Sequence, residues 1–199
     1  MTFEILIALV VFALASSITP GPNNIMLLAS GVNYGFIKSI PHILGIIFGF
    51  SFMCLCIGLG LGALFQTYPQ LLSYLQVVAL IYLVYLSWKT AFSKAIDSDK
   101  AKKSRPMTFI ESCLFQWVNP KAWVMGLTAM TLFVSPEHPI LSVVIISVVF
   151  GFTNIPCQCA WTISGVAMRR FLADERRLRI FNMTMGALLL LSVAPLVFN

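Results

Sequence analysis

Charge is scarce in this chain. Only 10% of its 199 residues are Asp, Glu, Lys or Arg, against roughly a quarter in soluble domains. That shortage excludes an ordinary water-soluble domain. The apolar runs are long and continuous rather than alternating, which excludes a strand-built outer-membrane barrel. A basic leader is also lacking. The chain starts Met-Thr-Phe-Glu, so its first apolar run is expected to stay in the protein. The cysteines number five, and all fall in apolar runs; an odd, membrane-buried set does not form a disulfide framework. Cys54 and Cys56, like Cys157 and Cys159, stand two apart in helical runs, where such positions face different ways. They read as small packing residues rather than metal ligands. No metal and no cofactor is expected. No acidic residue falls at the expected middle of a span, so composition names no proton site.

What is present is apolar. Hydrophobic residues make up 59% of the chain, and mean hydropathy is +0.91. Six helical segments are expected, over about 3–32, 40–65, 70–92, 108–134, 140–168 and 178–198. Each reaches the about 20 residues that a bilayer span needs. Eleven of the thirteen Lys and Arg residues lie in alternate connections. Lys38 is in the first, Lys94, Lys100, Lys102, Lys103 and Arg105 are in the third, and Arg169, Arg170, Arg176, Arg177 and Arg179 are in the fifth. The second and fourth hold none. The positive-inside rule puts the basic connections in the cytoplasm and both termini outside. The net charge of +6 is therefore an orientation signal and gives no ground for a nucleic-acid partner.

The stretch 93–107 is the only polar linker, and its composition suits a solvated connector. It divides the chain into halves, 1–92 and 108–199, of three spans each. Three is odd, so the second half must enter the bilayer from the opposite side. The expected fold is an all-α integral membrane protein of six helices, arranged as two inverted repeats.

Two breaks carry the chemistry. Thr19-Pro20-Gly21-Pro22-Asn23-Asn24 interrupts the first segment, and Asn119-Pro120-Lys121 interrupts the fourth. Each proline deletes a backbone donor, and glycine loosens the turn between the first pair. Broken helix is tolerated at membrane depth only where protein or a water-filled cavity covers it. Matching breaks in two halves point to a transporter's binding site. Asn119-Pro120 has the form of a helix start, with Asn as N-cap and Pro in the first turn. Thr19-Pro20 and Gly21-Pro22 both allow the same form. A half-helix N-terminus offers free N–H groups and about half a positive charge, which suits a carboxylate. The carbonyls freed on the other side, near Ser16 and Ile18, together with Asn23 and Asn24, suit an ammonium. A small zwitterion, an amino acid, fits both ends.

Lys121 lies about 13 residues into its segment, roughly 20 Å along a helix. A cation at such depth is costly and faces a cavity or a partner. Gln116, Asn154 and Gln158 either line the same cavity or bond between helices. Pro156 is expected to kink the fifth helix. Gly45 and Gly49, and Gly58 and Gly62, have the spacing of close helix crossings. Tyr34, Tyr68 and Trp88 fall near span ends, as interface anchors do. Glu111 is placed near the cytoplasmic face. His42, just inside the second span, is either a proton carrier or a packed side chain.

These residues resemble the lysine-exporter family of small amino-acid export permeases, the LysE/RhtB type, over nearly the whole chain. Thr19-Pro20-Gly21-Pro22-Asn23 is similar to the family's first-span hallmark, and Asn119-Pro120-Lys121-Ala122, with Phe109, to its fourth-span motif. Gly35, Gly45 and Gly49, the run Tyr82-Leu83, Tyr85-Leu86, Trp88-Lys89, and Arg179, Asn182 and Gly186 also match its pattern. Ser87 and Ser112 depart from it, standing where glycine is frequent. Asn23-Asn24 and the run from Phe115 to Asn119 are similar to the cysteine/O-acetylserine exporter branch. The resemblance implies proton-driven export of amino acids or close derivatives from a bacterial cytoplasm across the inner membrane, and it leaves a homo-oligomer open. The protein is then not an enzyme. Two other classes are weighed against it. A thiol–disulfide electron carrier would need a cysteine at each break, where this chain has Asn23 and Lys121. A metal exporter would need His, Asp or Cys clusters inside the spans.

Overall fold

In the computed structural model, residues 1–92 and 105–192 are described. Among them the chain is helical, with helices α1 (Phe3–Ile18), α2 (Pro22–Tyr34), α3 (Phe36–Cys56), α4 (Gly62–Thr67), α5 (Pro69–Ala91), α6 (Phe109–Val118), α7 (Pro120–Phe133), α8 (Pro139–Met168) and α9 (Glu175–Leu191). The linker lysines 94, 100, 102 and 103 and the end of the sixth segment, from 193, lie outside the described residues.

The first segment is broken where the prolines require it. α1 and α2 meet at 56°. The fourth breaks likewise between α6 and α7, at Asn119. Two pieces are long and apolar enough to cross a bilayer unbroken, Phe36–Leu64 and Pro139–Met168, and the bent α1–α2 pair qualifies if taken as one span. The other three expected spans do not meet that standard by length and composition among the described residues. The second segment starts at Phe36 rather than near 40, because Gly35 (φ 84) turns the chain in a single residue. The sixth starts at Glu175 rather than near 178, because Asp174 caps it and accepts from the Arg177 N–H at 2.9 Å. α8 runs as one helix through Pro156. The unforeseen irregularity lies elsewhere. A π-turn at Ile57–Leu61 joins α3 to α4, and Gly60 (φ 135) kinks it.

Helix pairing crosses between the halves. α1 and α2 lie on α8, α6 lies on α3, α3 faces α8, and α5 pairs with α9. Glycines set the closest approaches. A Cβ on Gly31 would strike the Thr162 carbonyl, and one on Gly165 would strike the Leu28 carbonyl, so α2 and α8 touch backbone to backbone. Gly45 lies against Phe109 O and the Ser112 Cβ, and Gly49 lies 2.6 Å from the Cys113 Cα, measured from an ideal Cβ. Ser112 is tolerated at that crossing because Gly45 opposite is bare. Ser87 is tolerated in the same way, its carbonyl facing Gly186. Gly58 abuts Val143, while the nearest atom to Gly62 belongs to its own turn, the Ile57 carbonyl. Between the halves, Phe50 and Phe150 meet edge to face at 5.0 Å.

The basic connections gather at one end. Gly35 sits beside the Arg169 guanidinium, and Tyr34, Lys89 and Arg105 line one hollow. Arg105 pairs with Glu111 through two 2.7 Å bonds, and Glu111 completes a capping box with Thr108. Met1, Phe133 and Val134 all pack against one apolar cluster, which draws on α1, α3, α7 and α8.

Candidate functional site

The two breaks meet. The Lys121 ammonium donates to the Thr19 carbonyl at 2.6 Å, to the Thr19 hydroxyl at 2.8 Å and to the Pro20 carbonyl at 3.4 Å. Asn23 and Gln116 exchange amide bonds at 2.8 and 3.3 Å across the same junction. One bond set therefore ties α1–α2 to α6–α7, over about a hundred residues of chain.

Why the chain folds so locally follows from its prolines. α2 starts at Pro22 with Gly21 as N-cap, and α7 starts at Pro120 with Asn119 as N-cap. Of the two allowed starts in the first break, Gly21-Pro22 is the one used. Pro22 cannot donate to the Ile18 carbonyl, and the Trp161 indole N–H takes that acceptor at 3.1 Å. At the second break the Trp117 carbonyl accepts from the Trp123 indole at 2.8 Å. The Lys121 N–H turns instead to the Asn119 side chain, at 3.2 Å. Each break thus has its own tryptophan donor. Asn24 closes the rest, donating to the Ser17 and Thr19 carbonyls at 2.8 and 2.7 Å. The expectation that the nearby carbonyls stand free for an ammonium is not met in this structure, since those of Ser17, Ile18, Thr19 and Pro20 accept from Asn24, Trp161 and Lys121, while Asn24 spends amide N–H groups rather than its oxygen in these bonds.

Gly21 also has a different role from the expected one. Its φ of −175° and ψ of 176° are extended backbone that any residue adopts. What requires glycine is space, because a Cβ there would lie 2.6 Å from the Lys121 Cδ.

Beside the junction is a polar hollow of about 20 Å³, room for a water rather than an amino acid. Gly21, Asn23, Asn24, Gln116, Asn119, Lys121, Asn154 and Gln158 line it. Thr19, Pro20, Pro22 and Pro120 do not; they build the junction around it. Sequence reasoning missed Ser17, Ile46, Phe50, Ala122 and Met125, which also line it. Ser17 had a signal, a hydroxyl just before the break. Ala122 had one too, its place in the fourth-span motif, while Ile46, Phe50 and Met125 had none, because their place depends on how α3 and α7 pack. Two groups in the wall are unspent. The Ser17 hydroxyl and the Gln158 Oε1 are buried without a partner. Gln158 is held by its other end, donating to Asn154 Oδ1 at 2.8 Å, and Asn154 donates to the Phe150 carbonyl at 2.9 Å. A solute group with N–H donors would satisfy both free acceptors.

Removing the tryptophan cap at the first break has a bounded cost. Trp161→Phe leaves the Ile18 carbonyl unpaired, and about 1–2 kcal/mol of stability is expected to be lost. A thermal unfolding midpoint of the purified protein that falls in Trp161→Phe checks this.

A family model described as LysE type translocator matches residues 14–198. The chain belongs to this family. Among its relatives, a protein named cysteine/O-acetylserine efflux protein from Salmonella choleraesuis is 33% identical over 201 residues, covering 100% of both chains. One of the same name from Escherichia coli O139:H28 is 32% identical over 203 residues, again covering 100% of each. The Escherichia coli K12 protein of that name is 32% identical over 181 residues, 89% of this chain and 90% of its own. No solved structure matches the chain.

Proposed function

We propose that this LysE-family chain exports small neutral amino acids or close derivatives, of the cysteine and O-acetylserine class, from the bacterial cytoplasm across the inner membrane. The contact between Lys121 and Thr19 carries the proposal. It sets a half-buried cation and two half-helix N-termini beside one hollow whose remaining groups are uncharged. The substrate carboxylate binds at Lys121 and the N-terminal turns of α2 and α7, where the helix dipoles also favour it. The ammonium donates to Gln158 Oε1 and Ser17 Oγ. A hollow too small for the substrate means that the halves part to load it. The Lys121–Thr19 and Asn23–Gln116 bonds are then the contacts that open and reclose in alternating access.

The architecture proposed for this is an inverted repeat of residues 1–92 and 108–199. Its support is the pairing pattern. First broken span on fifth, fourth broken span on second, second on fifth and third on sixth is the set that a two-fold relation would generate. The proton gradient is the proposed driving force. Both termini are proposed to face the periplasm, and a reporter fused after residue 199 is expected to behave as periplasmic; a cytoplasmic readout reverses the topology.

The experiment that tests the function is over-expression followed by a census of amino acids in the medium. Accumulation of cysteine or O-acetylserine above the empty-vector control supports it. An unchanged medium, with the protein present in the membrane, counts against it.

A further inference from the structure

A second hollow, of about 60 Å³, lies at the basic end of the molecule. It is about three times the first, which gives room for about three waters or for a carboxylate group and one water. His42 lines it, is 1% exposed, and has no partner for either ring nitrogen. A buried imidazole in that condition needs something in the hollow to bond to. Ser30 does not supply it, since its hydroxyl is bonded to that of Ser39 at 2.7 Å. Asn33 is bonded to Ala29 and Asn182. Arg105 is spent on Glu111. Lys89, exposed at the end of α5, also lines the hollow.

The position of this hollow gives it meaning. His42, Ile46 and Phe50 are successive turns on one face of α3. His42 lines the second hollow, while Ile46 and Phe50 line the one at the breaks. Four residues separate His42 from Ile46, a rise of about 6 Å. α2 repeats the pattern, with Asn23 and Asn24 at the breaks and Met26 and Asn33 in the second hollow. The two hollows thus follow one another along a single α2–α3 groove, from the basic end towards the junction.

We propose that the second hollow is an entry subsite for the carboxylate end of a small solute, with Lys89 at its mouth and the His42 N–H at its floor. Resting on the export reading, this makes Lys89 and then His42 the groups that receive an amino acid before it reaches Lys121. The ring donates one N–H to the carboxylate, and a water occupies its other nitrogen.

The chain offers its own control, because it has two histidines. His138 lies at the start of α8, among the residues that precede Pro139. The full chain, labelled with ¹⁵N in its histidine rings and held in lipid nanodiscs, is titrated with acetate, with L-cysteine and with cysteamine, which lacks the carboxylate. The His42 resonances, assigned by their loss in His42→Gln, are expected to move with acetate and L-cysteine and to ignore cysteamine, while those of His138 stay fixed. Lys89→Gln is expected to raise the half-saturating concentration about threefold, the size of an exposed ion contact. A His42 signal that ignores the carboxylates, that answers cysteamine equally, or that follows only bulk pH in the company of Tyr34, Lys89, Arg105 and Glu111, overturns the subsite. Counterflow of L-cysteine by the wild-type chain in vesicles tests the export reading separately, and either result can fail while the other stands.

Discussion

Lys121→Met is expected to reduce export by about a hundredfold or more while the protein still reaches the membrane. The ammonium makes three bonds to the first break. Hydrogen bonds to a charged group are worth about 1.5–3 kcal/mol each, and about 1.4 kcal/mol is a factor of ten. Once the halves part, the same donors turn to the substrate carboxylate, and losing one to two such bonds at the binding step reaches that size. Methionine keeps most of the side chain's length and apolar packing, so the loss reports on charge rather than on a cavity. The measurement is the efflux rate of preloaded vesicles, set against the amount of protein per vesicle. Efflux within a few fold of wild type would remove Lys121 from the mechanism. Gly21→Ala is expected to move in the same direction by a different route, because the added methyl meets the Lys121 Cδ. The lysine chain is flexible, so a partial loss is expected there.

The second large effect concerns the crossing of α2 and α8. In Gly31→Leu or Gly165→Leu, the new side chain meets a backbone carbonyl of the facing helix, of Thr162 or Leu28 respectively. A carbonyl within a helix cannot move aside as a side chain can. Overpacking of this kind costs about 1–3 kcal/mol even where neighbours yield, and here the whole helix must retreat. The expected outcome is a protein that is extracted largely as aggregate, with a melting midpoint well below wild type. The same change at Gly60, where nothing stands within 4 Å of the added Cβ, costs only the strain of its positive φ. Wild-type melting of Gly31→Leu would mean that α2 and α8 do not cross as described.

The breaks were legible because proline is. At the two breaks the missing N–H comes with a second local signal, a Pro-Gly-Pro run or an Asn N-cap, so Pro22 and Pro120 mark the starts of α2 and α7, whereas Pro156 alone leaves α8 continuous. The start of α9 was misplaced because an Asp N-cap governs it, and the run of arginines hid the cap. The kink at Gly60 was hidden because the flanking Gly58 and Gly62 have the spacing of a packed helix face. Gly31 stands four residues before Gly35, the spacing used to single out Gly45 and Gly49, yet its partner Gly165 lies in the other half and nothing local joins the two.

Local chemistry by itself determined the membrane class, the two breaks, the basic ends of the helices and the presence of one lysine deep in an apolar segment. It did so because hydropathy, missing donors and charge are properties of short stretches. Only the tertiary structure decided that Lys121 reaches Thr19, that Asn24 bonds the carbonyls it was expected to leave open, and that Gln158 and Ser17 are the acceptors left over. Those facts depend on which groups from distant segments arrive at the same few ångströms, and a hydrogen bond, once made to one partner, is no longer available to another.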